Sequence, residues 1–303
     1  ADDADVKAEQ SRLNGLYDRF TAKYGLLSAS ANKQAFSEDS AYPLLCSLEI
    51  LDENGAEVLC KPVGKYITME LDALVRREEN AFEEATTAFA QLLRCLLNLN
   101  QEDSVLVVGL GNRAITPDAI GPETAERIIV TRHLRNQLPP SYSEMREVTS
   151  LASGVLGTTG IESADLVRAV GKMLHPSRIL AIDALAAAQS TRLCRTVQLS
   201  DSGIRPGSGV GNSRSSLDFN SLGVPVVSIG VPTVVEAASL VSELAEQAGL
   251  SLPQQIIDNE PKLIVTPKDI DHSIRDFSKF LAYGINLALH EDLSLSDVDM
   301  LIG

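Results

Sequence analysis

Apolar residues along this chain fall into two rhythms. Leu71, Leu74, Phe82, Ala85, Phe89 and Leu93 recur at three- and four-residue spacing, which predicts a long amphipathic helix over roughly 72–98. From Val105 onward short continuous apolar runs take over, at Val105–Leu110, Ile179–Ile182, Val224–Ile229 and Leu263–Val265. Helical spacing returns between or after them, near 118–135, 161–174, 233–249 and 268–290. Wholly apolar strands alternating with helices predict a parallel sheet covered on both faces. The expected fold class is therefore α/β, a three-layer core with a mainly parallel sheet.

The front of the chain reads differently. One amphipathic helix is predicted over about 4–24, followed by the small, polar stretch SASANKQAFSEDSA, which reads as an exposed connection. Leu44–Leu51 reads as a strand, Asp52-Glu53-Asn54-Gly55 as a turn, and the residues up to Cys60 as a second strand. After the break at Lys61-Pro62-Val63-Gly64, Tyr66–Leu71 reads as a third strand. This gives a mixed elaboration of antiparallel flavour at 44–71. The expected organisation is an N-terminal helical, propeptide-like segment (1–43), one α/β domain (44–290) and a C-terminal tail (291–303). The apolar spacing in SLSDVDMLIG suggests a short docking helix there.

Composition narrows the function classes. With 303 residues and 44% apolar residues the chain can fill a sizeable core. No run approaches the roughly 18–20 apolar residues of a membrane helix, and the acidic ADDADVKAEQ start does not read as a secretory signal. A net charge of −15 argues against broad nucleic-acid binding, which needs a basic footprint. Cys46, Cys60, Cys95 and Cys194 are scattered and read as reduced core residues. His133, His175, His272 and His290 are equally dispersed and no HExxH occurs, so no metal site and no cofactor is expected.

Three segments carry candidate chemistry, because in such a sheet ligands gather beyond the carboxyl ends of the strands. In VLVVGLGNRAITPDAIGP a buried strand ends at Gly109-Leu110-Gly111-Asn112. Thr116 then suits an N-cap and Pro117 a first helical position, which puts Asp118 in the first helical turn. Asp118 is either a reacting group or simply a helix-start stabiliser. In RILAIDALAA, Asp183 falls at the end of an apolar run, as a reacting group or as the N-cap of a helix opening at Ala184. The stretch between the two aspartates is long enough for crossovers that bring them to one edge. Two carboxylates held close share protons unequally, so one can deprotonate a water while the other acts as acid. In LSDSGIRPGSGVGNSR the density of Gly, Ser and Pro marks a tight loop, either substrate-binding or purely structural.

Taken together, these segments resemble the germination protease family of spore-forming bacteria. The resemblance is carried by VVGLGN–TPDAIGP, TTGIESADLVRAV, AIDALAA, SDSGIRPGSGVGN, GVPVVSIGVPTVVEA and IVTPKDID, and upstream by LEILDENGAEVLCKPVGKYITMEL. It runs over roughly 44–290 in consistent order. It implies a fold similar to the hydrogenase-maturation peptidases and a metal-independent endopeptidase acting through Asp118 and Asp183. Asn112, Thr159, Ser208 and Asn212 are expected to shape the site, since amide and hydroxyl groups can hold a carboxylate or an oxyanion. The resemblance further implies small acid-soluble spore proteins as substrate, a self-processing zymogen, a homotetramer and residence in the forespore or spore core. Neither nucleic acid nor membrane is an expected partner. Two rival readings keep the fold: a nickel-dependent maturation-type peptidase, and a non-enzymatic phosphate- or nucleotide-binding module.

Overall fold

The computed structural model describes residues 29–34, 45–134, 145–207, 214–250 and 263–303. Its strands are β1 (Ala29–Gln34), β2 (Leu45–Ile50), β3 (Gly64–Glu70), β4 (Val105–Leu110), β5 (Val148–Gly154), β6 (Arg178–Ala187), β7 (Thr196–Ser200), β8 (Val226–Glu236) and β9 (Ile264–Val265). The helices are α1 (Glu53–Leu59), α2 (Asp72–Val75), α3 (Ala81–Leu97), α4 (Ile120–Ala125), α5 (Leu156–Thr159), α6 (Ser163–Leu174), α7 (Phe219–Leu222), α8 (Ala237–Gln247), α9 (Ile270–Leu289) and α10 (Leu295–Ile302). All nine strands join one sheet in the order β1-β2-β3-β7-β8-β6-β4-β5, with β9 pairing β8. The segment β5-β4-β6-β8 is parallel, and every pairing from β8 to β7, β3, β2 and β1 is antiparallel.

Strand periodicity sorts the core into two layers. Val105 and Val107 of β4 join Leu180 and Ile182 of β6 under α3 and α9, where Phe89 and Phe280 meet with ring centroids 5.3 Å apart. Leu106 and Val108 face the other way, against Ala164 and Val167 of α6. All six residues of β4 are buried, which accounts for their continuous apolarity. Burying Phe89 or Phe280 completely stabilises the fold by about 2–3 kcal/mol each before entropy is counted.

The α/β architecture agrees with the sequence, and so do α6, α9 and the tail helix α10. That last helix begins at a Ser294/Asp297 capping box and buries Val298 against the core. Other expectations are corrected. Asp52-Glu53-Asn54-Gly55 is not a hairpin turn leading into a strand. Asp52 accepts a hydrogen bond from Gly55 N–H at 2.9 Å, and this N-cap opens α1, which ends at Cys60 in the left-handed region. The helix foreseen over 72–98 is interrupted by Arg77 and Asn80, both at positive φ, although the apolar spacing runs on across the break. Residues 29–34 form a strand on the edge of β2 rather than an exposed connection. β5 and β7 were not foreseen. β8 continues to Glu236, through residues assigned to the front of the 233–249 helix. Of the four free cysteines only Cys194 is a core residue, while Cys60 and Cys95 are exposed. The helix expected at 4–24 lies outside the described residues.

Candidate active site

The chain leaves β4 toward β5 and leaves β6 toward β7, on opposite sides, so the β4–β6 boundary is a topological switch point with a crevice at the strands' carboxyl ends. Gly109 pairs with Ile182 there, one residue before Asp183. The sequence places Asp183 at the end of its strand, but β6 runs on to Ala187. The alternative of a helix N-cap at Asp183 is thereby excluded. Its side chain follows Ile179 and Ala181 onto the α6 face, buried, with Oδ1 accepting from Ala184 N–H at 3.0 Å.

Asp118 arrives by a different route from the one foreseen. Thr116-Pro117-Asp118 is a 3₁₀ turn whose N-cap is Ile115 and which lacks a side-chain cap, so Thr116 does not play that part. The following helix, α4, has six residues rather than the span foreseen over 118–135. Two glycines make the arrangement possible. A Cβ on Gly121 would lie 2.1 Å from Leu110 O and 2.6 Å from Ile182 O, so only glycine lets α4 rest directly on the end of β4 and the middle of β6. Gly111, at φ +112°, would put a Cβ 2.1 Å from Asp118 O. The 3₁₀ turn is thus pressed over Asp183, with Asp118 Oδ2 accepting from Asn112 N–H at 2.7 Å.

The electrostatics differ between the two carboxyls. Burial, reinforced by the charge of Asp118, pushes Asp183 up to about 8; Ala184 N–H and Arg214 pull the other way. Burial also raises Asp118, against the Asn112 N–H and Arg214. Both line a cavity of about 590 Å³ that also takes in Arg205, Pro206, Arg214 and Thr233. Among the described residues, no group of three or more His, Cys, Asp or Glu side chains is arranged to hold a metal ion. A second cavity of about 570 Å³ lies elsewhere, beside Cys194 and His272, but its Asp276 is half-exposed and bound to Arg77 at 3.1 Å.

The other site residues foreseen fare unevenly. Asn112 contributes through its backbone, while its side chain accepts from Ala114 N–H at 3.0 Å. Thr159 does not line the cavity; its hydroxyl bridges Val155 O and Ile161 N–H in an exposed turn. Ser208 and Asn212 lie outside the described residues. Sequence reasoning missed Arg214 and Thr233. Arg214 closes the Gly-rich segment, so its charge beside a glycine loop was the available signal. Thr233 gave none: it is the extra residue where the β6–β8 register shifts, a bulge that only pairing reveals.

A family profile described as germination protease matches residues 33–248. The germination protease of Caldanaerobacter subterraneus subsp. tengcongensis is 40% identical over 282 residues, covering 84% of this chain and 87% of that one. That of Bacillus subtilis is 34% identical over 302 residues, covering 80% and 82%. Among solved structures, a [NiFe] hydrogenase maturation protease from Thermococcus kodakarensis KOD1 aligns at TM-score 0.36 and 15% identity, over 64% of this chain and 98% of that one. The sequence relatives carry the assignment: this chain belongs to the germination protease family.

Proposed function

We propose that the chain is an endopeptidase that hydrolyses small acid-soluble spore proteins with Asp118 as base and Asp183 as acid. The observation that carries this reading is one buried carboxyl, Asp183, facing a second, better-solvated one across a switch-point cleft. Asp183 keeps its proton near neutrality, because ionising it would place a second negative charge in a desolvated site. Asp118 ionises first, helped by Asn112 N–H and by Arg214.

The water oxygen attacks the peptide carbonyl carbon, one water proton passes to Asp118, and the carbonyl π pair moves onto oxygen. As the tetrahedral intermediate collapses, the C–N bond breaks and the leaving nitrogen takes the Asp183 proton. Arg214 lies beside both carboxyls and offsets the charge that develops. Proton exchange with solvent restores Asp118 to its ionised and Asp183 to its protonated form. The step draws on no metal and no cofactor. The family resemblance supports the spore substrate, a self-processing zymogen, assembly as a homotetramer and action in the spore core.

The test is digestion of a purified small acid-soluble spore protein by the wild type beside Asp183→Asn. Cleavage by the wild type alone supports the reading. Equal cleavage by a normally folded Asp183→Asn sinks the two-carboxylate mechanism.

A further inference from the structure

Among the described residues, the α6 face of the sheet is covered in its parallel half and open in its antiparallel half. Beyond Asp183 the register continues in one line across the strands: Asp183 pairs Gly230, Gly230 pairs Gln198, and Gln198 pairs Thr68. The neighbouring line runs Ala181, Ser228, Ser200 and Tyr66. Residues in these lines share the face that Asp183 occupies. Those between them, such as Leu199 and Ile229, face the α3–α9 core.

Hydroxyl and amide groups therefore pave the floor of a trough of about 630 Å³. Glu53 and Glu57 of α1 stand on one wall, with Arg205 and Asp218 on the other. The trough meets the catalytic cavity, since Leu185 and Arg205 line both. Leu185 lies over Gly230, where a Cβ would come within 2.2 Å of its Cδ1, so the passage between the two cavities crosses this side chain.

Resting on the carboxylate reading above, we propose that this trough binds the substrate polypeptide in extended form on one side of the scissile bond, running from Asp183 across β8 and β7 to β3. Three inter-strand steps of about 4.8 Å give roughly 14 Å, room for about four extended residues at ~3.4 Å each. The occupant is an unfolded segment whose side chains meet hydrogen-bonding groups interspersed with apolar ones such as Ile67, Leu185 and Ile204. Specificity then lies in residues beyond the bond that is cut, and on one side of it only.

The experiment uses peptides built around one mapped cleavage site of a small acid-soluble spore protein, shortened residue by residue from each end. With the wild type, kcat/KM falls at least tenfold over about four residues removed from one end, and less than twofold from the other. Gln198→Trp, which fills the trough two strands from Asp183, lowers kcat/KM at least tenfold for the long peptide. It leaves the peptide already shortened on the sensitive side within twofold, which also shows that the variant is folded; Thr68→Trp reproduces the pattern. Equal loss on long and short peptides, or no length dependence in the wild type, overturns the trough while cleavage keeps the carboxylate reading. No cleavage of any peptide by the wild type overturns both.

Discussion

In β4 every residue is buried, whereas in β3 only Met69 is, although both strands belong to one sheet. The difference follows from what packs on each half. Helices cover both faces of the parallel half, and Asp183 is caught in that dry layer, where burial raises its pKa. Among the described residues, the antiparallel half has α3 and α9 beneath it and the open trough above. One half of the sheet thus tunes a carboxyl, while the other offers a polar, hydrogen-bonding surface beside it.

The sharpest way to break this comparison is at the carboxyls. Asp183→Asn and Asp118→Asn each lower kcat/KM by about a thousandfold or more, read by peptide cleavage, while both variants fold. Stability measures the dryness directly. Because the folded pKa of Asp183 is raised, the native state binds a proton that the unfolded chain releases. Wild-type stability therefore declines as pH rises between the ordinary carboxylate value and about 8. Asp183→Asn removes that decline, so its advantage over wild type in urea unfolding grows across this window, toward a few kcal/mol at most. A pH-independent difference would refute the desolvated-acid assignment.

Packing separates the halves next. Gly121→Ala forces α4 off the end of β4 and the middle of β6; it costs about 3 kcal/mol and most of the activity, measured by denaturant melts and turnover. Ile179→Ala on the α6 face of the covered half costs about 2–5 kcal/mol, whereas Gln198→Ala on the trough floor of the same face stays within about 0.5 kcal/mol. If the two costs matched, the antiparallel half would be covered in solution. A smaller effect is expected in the pH profile. Activity declines as Asp183 loses its proton near pH 8, and Arg214→Gln moves both limbs to higher pH, because the lost cation had favoured both ionised forms. EDTA leaves turnover unchanged if the carboxyls act without a metal.

Much of the covered half was legible in the sequence. Continuous apolar runs disclosed β4, β6 and β8, since runs this short fit strands buried on both faces and are too brief for a buried helix. β7 escaped notice because polar Thr196, Gln198 and Ser200 leave it only two apolar residues, Val197 and Leu199. The turn signal at Asp52–Gly55 misled because the same Asp that initiates a turn also caps a helix, and local sequence does not choose between them.

The sequence by itself determined the α/β class and the family, and singled out the two aspartates as candidates, because apolar period and linked motifs are properties of the chain. Only the tertiary structure decided that Asp183 lies inside its strand and that Asp118 rides a 3₁₀ turn. It also brought Arg214 beside both carboxyls and continued the Asp183 line through Gly230 to Gln198. The reason is physical. A carboxyl's pKa and a trough's floor depend on which strands pair and which face lacks a helix, and those neighbours are far apart in the chain.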